Sequence, residues 1–222
     1  MTLERRRALL AEGLGTCLLL VGVVGSGIMA ERLSPTDVGL QLFQNAAATA
    51  AVLIAIISIF GTISADFNPA VTLGAWLLGH RPGREVPAMV AAQVVGGCAG
   101  TVLANLMFDL VWVEASTKAR SGGHLWLAEV VATVGLLLVV FSLLRTARSS
   151  AIPYVVGAYI GGAYYFTSST SFANPAVTVA RTLSDTFAGI QPSSAPMFVL
   201  MQVVGVGVAV ALVRALFGEP RA

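Results

Sequence analysis

The residues of this 222-residue chain that could do chemistry are few, and they come in pairs. Asn68-Pro69-Ala70-Val71-Thr72 returns as Asn174-Pro175-Ala176-Val177-Thr178, Glu12 has a counterpart in Glu129, and Gln93-Val94-Val95-Gly96 returns as Gln202-Val203-Val204-Gly205. These sets do not spell catalysis. His80 and His124 have no Cys or second His at ligand spacing, so no metal site is expected, and Ser, His and Asp never meet in a nucleophile motif. No cofactor and no enzyme activity are implied. The pairs offer hydrogen bonding instead. Asn is a favoured N-cap and Pro suits the first helical position, where no amide hydrogen is needed, so each Asn-Pro opens a helix. Capping occupies each Asn oxygen and is expected to leave the amide hydrogens of Asn68 and Asn174 free for a solute. Each helix N-terminus carries about half a positive charge. Two of them facing a narrow lumen would repel cations while donating to neutral polar oxygens.

The elements that must position these groups lie in a membrane. Hydrophobic residues make up 56% of the chain and charged ones 11%, under half the roughly 25% of a soluble domain. The mean hydropathy is +0.84. Nucleic-acid binding, a secreted disulfide scaffold and disorder each need charge, cysteine or polarity that is missing. Cys17 and Cys98 both sit in apolar runs, so no disulfide is indicated. Six stretches can cross a bilayer as helices: Leu9–Met29, Leu40–Ile63, Val86–Phe108, Leu125–Leu144, Ile152–Thr167 and Met197–Leu216. Arg5-Arg6-Arg7 ahead of the first run resembles the start of a secretory signal. That run is too long for one and lacks a small-residue cleavage site, so it is expected to remain. With the N-terminus inside, the cytoplasmic basic residues are Arg5, Arg6, Arg7, Arg81, Arg84, Arg145, Arg148, Arg214 and Arg221; Arg32, Lys118 and Arg120 lie outside. Both termini are therefore expected in the cytoplasm.

The paired landmarks recur in one order, each slightly over a hundred residues from its copy, which reads as a tandem duplication of about 110 residues. The halves, 1–115 and 120–222, form a single channel domain spanning 1–222. Three spans per half is an odd number, so the second half enters from the opposite face and the repeats are inverted. Each Asn-Pro lies between the second and third spans of its half and starts about ten residues of helix, ~15 Å, half of a hydrocarbon core of about 30 Å. Two half-helices, one from each face, then meet near the midplane. Ala70 and Ala176 are small enough for their ends to abut.

Two Asn-Pro-Ala boxes on inverted three-helix repeats resemble the aquaporin, or major intrinsic protein, family across essentially the whole chain. The resemblance implies an all-α membrane protein of six transmembrane helices plus two re-entrant half-helices, a pore in each subunit and a homotetramer. It implies that Glu12 and Glu129 brace the re-entrant loops by accepting backbone hydrogen bonds, with Gln93 and Gln202 bonding between helices.

The chain also departs from the family. The arginine usual after the second box is replaced by Val177, which leaves the constriction wider and less polar. Arg181, four residues on, either places positive charge in the vestibule or pairs with Asp185 or snorkels. Ser171 flanks the filter. The family's bulky aromatic in the second span aligns with Thr49, or with Ala48 if the loop before Asn68 has no deletion. In the fifth span simple counting gives Gly162, with Tyr164 as the alternative. A water-selective pore usually has a His there, an aromatic and the arginine, and none is present. Asp66 stands where the family commonly has His; it attracts cations or solute hydroxyls at the pore mouth, or accepts from loop amides.

The segment from Thr167 to Thr178 resembles a bacterial subgroup of aquaglyceroporins associated with arsenic detoxification. That resemblance implies a passive channel in the bacterial inner membrane. Its solutes are small neutral molecules together with water: glycerol-like polyols, and uncharged metalloid hydroxides such as arsenite or methylated arsenicals. The lipid bilayer is the other partner, and no nucleic acid is involved. A water channel with an atypical filter is one alternative. A secondary transporter is another, but it needs a coupling-ion site, and Asp66 is the only candidate lumen acid.

Overall fold

Every long apolar run of the sequence is helical in the computed structural model, which describes residues 2–218. A bilayer offers backbone amides no partner outside their own segment, and a helix satisfies them internally. In chain order the helices are α1 (Leu3–Leu33), α2 (Val38–Phe60), α3 (Pro69–Leu77), α4 (Val86–Met107), α5 (Gly123–Arg145), α6 (Ile152–Phe166), α7 (Pro175–Ala180) and α8 (Ala195–Phe217). No strand occurs among the described residues. Arg221, counted above with the cytoplasmic charges, lies outside them.

Helix ends depart furthest from the apolar runs at α1. Helix α1 begins six residues before the expected Leu9, because Thr2 caps it by accepting from the Arg5 amide, and it continues to Leu33. At 1.5 Å per residue its 31 residues reach ~46 Å, well beyond the hydrocarbon. Apolarity marks where lipid tails begin, whereas capping marks where the helix does. Helix α6, by contrast, has only 15 residues. Among the described residues five helices are long and apolar enough to cross a membrane by length and composition, and α6 is the short sixth.

In each set of four the third helix is the shortest, α3 with nine residues in α1–α4 and α7 with six in α5–α8. Helix α1 packs on α4, α5 packs on α8, and α2 packs on α6 to join the two sets. Small residues set the closest approach: a Cβ on Gly96 would stand 2.1 Å from the Gly13 carbonyl oxygen, and one on Gly100 would stand 2.2 Å from that of Cys17. Side chains beyond hydrogen at these positions would push α1 and α4 apart. The short helices cross over, α3 leaning on α8 and α7 on α4, so each is wedged into the other set. Leu10, Leu14 and Leu18 point outward along one face of α1, as suits a lipid-facing surface.

Candidate functional site

The two short helices start where the sequence says they should. Asn68 has an extended backbone and its Oδ1 accepts from the Ala70 amide at 2.8 Å; Asn174 accepts from Ala176 at 3.0 Å and Val177 at 3.2 Å. Pro69 and Pro175 occupy the first helical positions, and Ala70 and Ala176 are fully buried. The amides do something the sequence reading missed. Nδ2 of Asn68 donates to the Ala173 carbonyl, and Nδ2 of Asn174 donates to the Phe67 carbonyl, each at 2.8 Å. The boxes are thus tied to each other although more than a hundred residues separate them. One hydrogen of each amide is spent on this tie, so one rather than two is left for the lumen.

The carbonyls are in reach because the residues carrying them are left-handed: Phe67 and Ala173 both have φ 48°. A non-glycine residue there costs about 1–2 kcal/mol, so the turns need holding. Glu12 holds the first. Its carboxylate accepts from the amides of Asp66 (2.9 Å) and Phe67 (2.7 Å), from Ser64 Oγ (2.5 Å) and from Gln93 Nε2 (2.8 Å). Glu129 holds the second, accepting from the amides of Phe172 (3.0 Å) and Ala173 (2.9 Å) and from Gln202 Nε2 (2.6 Å). Each glutamine also donates to the threonine closing its box, Gln93 to Thr72 and Gln202 to Thr178, both at 2.9 Å. Both glutamates are wholly buried. The sequence pairs therefore converge into two matching networks, one per loop.

A cavity of about 590 Å³ runs past both asparagines. Leu19, Val23, Leu53, Val140 and Ile160 give it apolar walls, and Asp66, Thr49 and Arg181 give it polar ones. Val177 and Ser171 also line it. Of the second-span alternatives, Thr49 reaches the lumen, where its hydroxyl meets that of Tyr164 at 3.1 Å. The fifth-span count to Gly162 is corrected. Gly162 is exposed on the outside of α6, where an added Cβ would meet only Phe166 at 3.9 Å, while Tyr164 lines the cavity. Two helical residues are about 200° apart at 3.6 per turn, so only one of them can face inward. The count slips because the loop after α6 spends residues on two further left-handed turns, at Thr170 and Ser171.

Asp66 lines the cavity, but its partners are side chains: Oδ2 accepts from Thr72 Oγ1 at 2.8 Å and from Arg81 at 3.0 Å. The expectation that it accepts loop amides is corrected, since Glu12 takes those. Arg81, which also stands 3.7 Å from Glu85, was visible in the sequence only as a loop charge. The short α3 sits between Asp66 and Arg81 and brings the chain back, a closure that no periodicity announces.

At the other end of the lumen Arg181 neither snorkels nor pairs with Asp185. It is 2% exposed, donates from Nε to the Ala188 carbonyl, and lies over the Phe172 ring at 3.6 Å. Asp185 instead accepts from the Thr117 amide at 2.9 Å. Arg120, also missed, approaches the same ring to 5.1 Å and donates to the Gly189 carbonyl at 2.9 Å. Burial pushes the Arg120 guanidinium down to about 10. Lys118, in the same loop, is pushed down to about 8, first by burial and then by the charges of Arg120 and Arg181.

A helical bundle in which two capped half-helices meet inside a lumen has the architecture of a transmembrane channel. A sequence model of the major intrinsic protein family matches residues 1–172. The chain is 48% identical to aquaglyceroporin AqpS of Rhizobium meliloti (strain 1021) over 216 residues, 97% of this chain and 92% of that protein. It is 28% identical to the probable aquaporin AqpM of Archaeoglobus fulgidus, over 92% of this chain and 94% of that one. The X-ray structure of the aquaglyceroporin from Plasmodium falciparum superposes with a TM-score of 0.73 at 19% identity, over 97% of this chain and 96% of that one. The chain belongs to the major intrinsic protein family. It is a multi-pass membrane channel for water and small neutral solutes, and not an enzyme.

Proposed function

We infer that this channel passes glycerol-like polyols and uncharged metalloid hydroxides, such as arsenite or methylated arsenicals, along with water. The observation that carries the reading is the composition of the constriction: Val177 stands where an arginine is usual in the family, in a lumen wall that also carries the hydroxyls of Thr49 and Tyr164. An apolar wall opposite hydroxyls suits a solute with a carbon or metalloid core and several oxygens. In this reading Thr49, Tyr164, Ser171 and Val177 form the filter, and the Asn68 and Asn174 amides hand the solute across the centre. Asp66 and Arg181 stand at the mouths, and Glu12 and Glu129 brace the loops. Residues 1–115 and 120–222 act as inverted repeats of one domain. The chain assembles as a homotetramer in the bacterial inner membrane with both termini in the cytoplasm. Shrink–swell measurements on proteoliposomes with water, glycerol, urea and arsenite test it. Glycerol and arsenite flux linear in concentration and indifferent to sodium or proton gradients is the expected result. Water flux alone would leave a water channel, and saturable gradient-driven flux would mean a transporter.

A further inference from the structure

At the lumen end away from the chain termini, two arginines share one aromatic ring, Arg181 at 3.6 Å and Arg120 at 5.1 Å from the centroid of Phe172. Arg181 forms part of the lumen wall. Its Nε donates to Ala188, and none of its other N–H groups meets a protein acceptor among the described residues. Arg120 is tethered to the carbonyls of Gly189 (2.9 Å) and Ser169 (3.4 Å). Neither arginine pairs with a carboxylate: the ion pairs among the described residues both belong to Arg81. The nearby acids are engaged elsewhere, Asp185 by Thr117 and Glu129 by the loop amides and Gln202. A third donor is unclaimed. Ser171 lines the same cavity, and its Oγ is buried with no partner among the described residues.

Two like charges against one ring repel each other, and a buried guanidinium without a counter-charge is costly. The face of Phe172 offsets part of that cost. An oxyanion offsets more, because the planar fork of a guanidinium matches paired oxygens and the Ser171 hydroxyl adds a further donor. Val177 lies about one turn, roughly 6 Å, before Arg181, which caps the C-terminus of α7, and offers an apolar neighbour.

We propose that Arg181, Arg120 and Ser171 form an oxyanion subsite at this end of the lumen, which takes small monoanionic oxyacids, carboxylates or sulfonates with one small alkyl group. The proposal rests on the lumen being the solute path, and its consequence is that an ionised oxyacid competes there with neutral solutes.

The test uses the full-length purified protein, with acetate and methanesulfonate as probes and chloride at equal ionic strength as control. Line broadening of the acetate methyl resonance reads binding without any flux. Broadening that methanesulfonate reverses and chloride does not is expected, together with a glycerol flux lowered at least about threefold by saturating acetate. Arg120→Gln, in a partly exposed loop, weakens acetate binding about tenfold, and Ser171→Ala weakens it less. Arg181→Lys keeps the charge but loses the fork, so it weakens acetate more than a point charge alone predicts. Equal broadening in the parent and Arg120→Gln, or equal suppression of flux by chloride, overturns the subsite. Acetate binding with this variant pattern but no glycerol flux would sink the solute reading and leave the subsite standing; glycerol flux without acetate binding would do the reverse.

Discussion

Replacing Glu129 by Gln changes one atom and a charge, and the geometry states what that costs. Three donors converge on the carboxylate: the Phe172 amide on Oε1, and the Ala173 amide and Gln202 Nε2 on Oε2. A glutamine has one acceptor oxygen. If that oxygen keeps the pair on Oε2, the new NH₂ group faces the Phe172 amide, donor against donor, and a buried N–H is orphaned at about 1–3 kcal/mol. The two surviving bonds lose their charge assistance, roughly 0.5–1 kcal/mol each. The sum is about 2–5 kcal/mol, taken from the loop that holds Ala173 left-handed. Thermal unfolding of the assembled protein in detergent should therefore occur at a clearly lower temperature. The ratio of glycerol to water flux, measured per correctly assembled channel, should stay near that of the parent. A variant that melts like the parent yet has an altered flux ratio would refute the bracing argument and place Glu129 in solute selection.

Four other outcomes follow from the same geometry. Val177→Arg adds bulk and five donors to the constriction, and glycerol flux should fall at least about tenfold while water falls less than about threefold; equal loss of both would mean blockage. Gly162→Leu, on the outer face of α6, should leave both fluxes unchanged, whereas Tyr164→Phe, which removes the hydroxyl beside Thr49, should shift solute preference without loss of assembly; the opposite pattern would restore Gly162 to the lumen. Arg81→Gln leaves Asp66 with only Thr72 as partner, so calcium should inhibit solute flux in this variant but not in the parent, and Asp66→Asn added to it should abolish that inhibition. Lys118 is the only lysine of the chain, and with its ammonium pushed down from 10.5 to about 8 its acylation should rise through a midpoint near pH 8; a midpoint near 10.5 would mean that burial and the Arg120 and Arg181 charges do not act on it.

What the sequence made legible was whatever repeats or is local. Asn-Pro announces a capped helix start because the cap and the helix lie within three residues of each other. Glu12 and Glu129 stood out because an acid in an apolar span demands an explanation and these two came with matching neighbours. Composition gave the six spans, and it misplaced the ends of α1 because hydropathy measures the lipid rather than the cap.

What remained hidden was decided by closure in three dimensions. Arg81 meets Asp66 only after α3 has turned the chain back, and Arg120 meets Phe172 only because a loop before α5 folds over one after α6. Neither contact has a period or a motif to betray it. The fifth-span position failed for a related reason: counting assumes a fixed number of residues per turn of loop, and Thr170 and Ser171 consume two in left-handed geometry. The same loop that upset the count also turns Ser171 into the cavity and sets Phe172 beneath two guanidinia. Where local pattern reading broke down, the chain had departed from its own first half, whose corresponding loop has a single left-handed residue, Phe67, before its box. That asymmetry between two otherwise matched loops makes one end of the lumen cationic, while at the other end Asp66 is neutralised by Arg81.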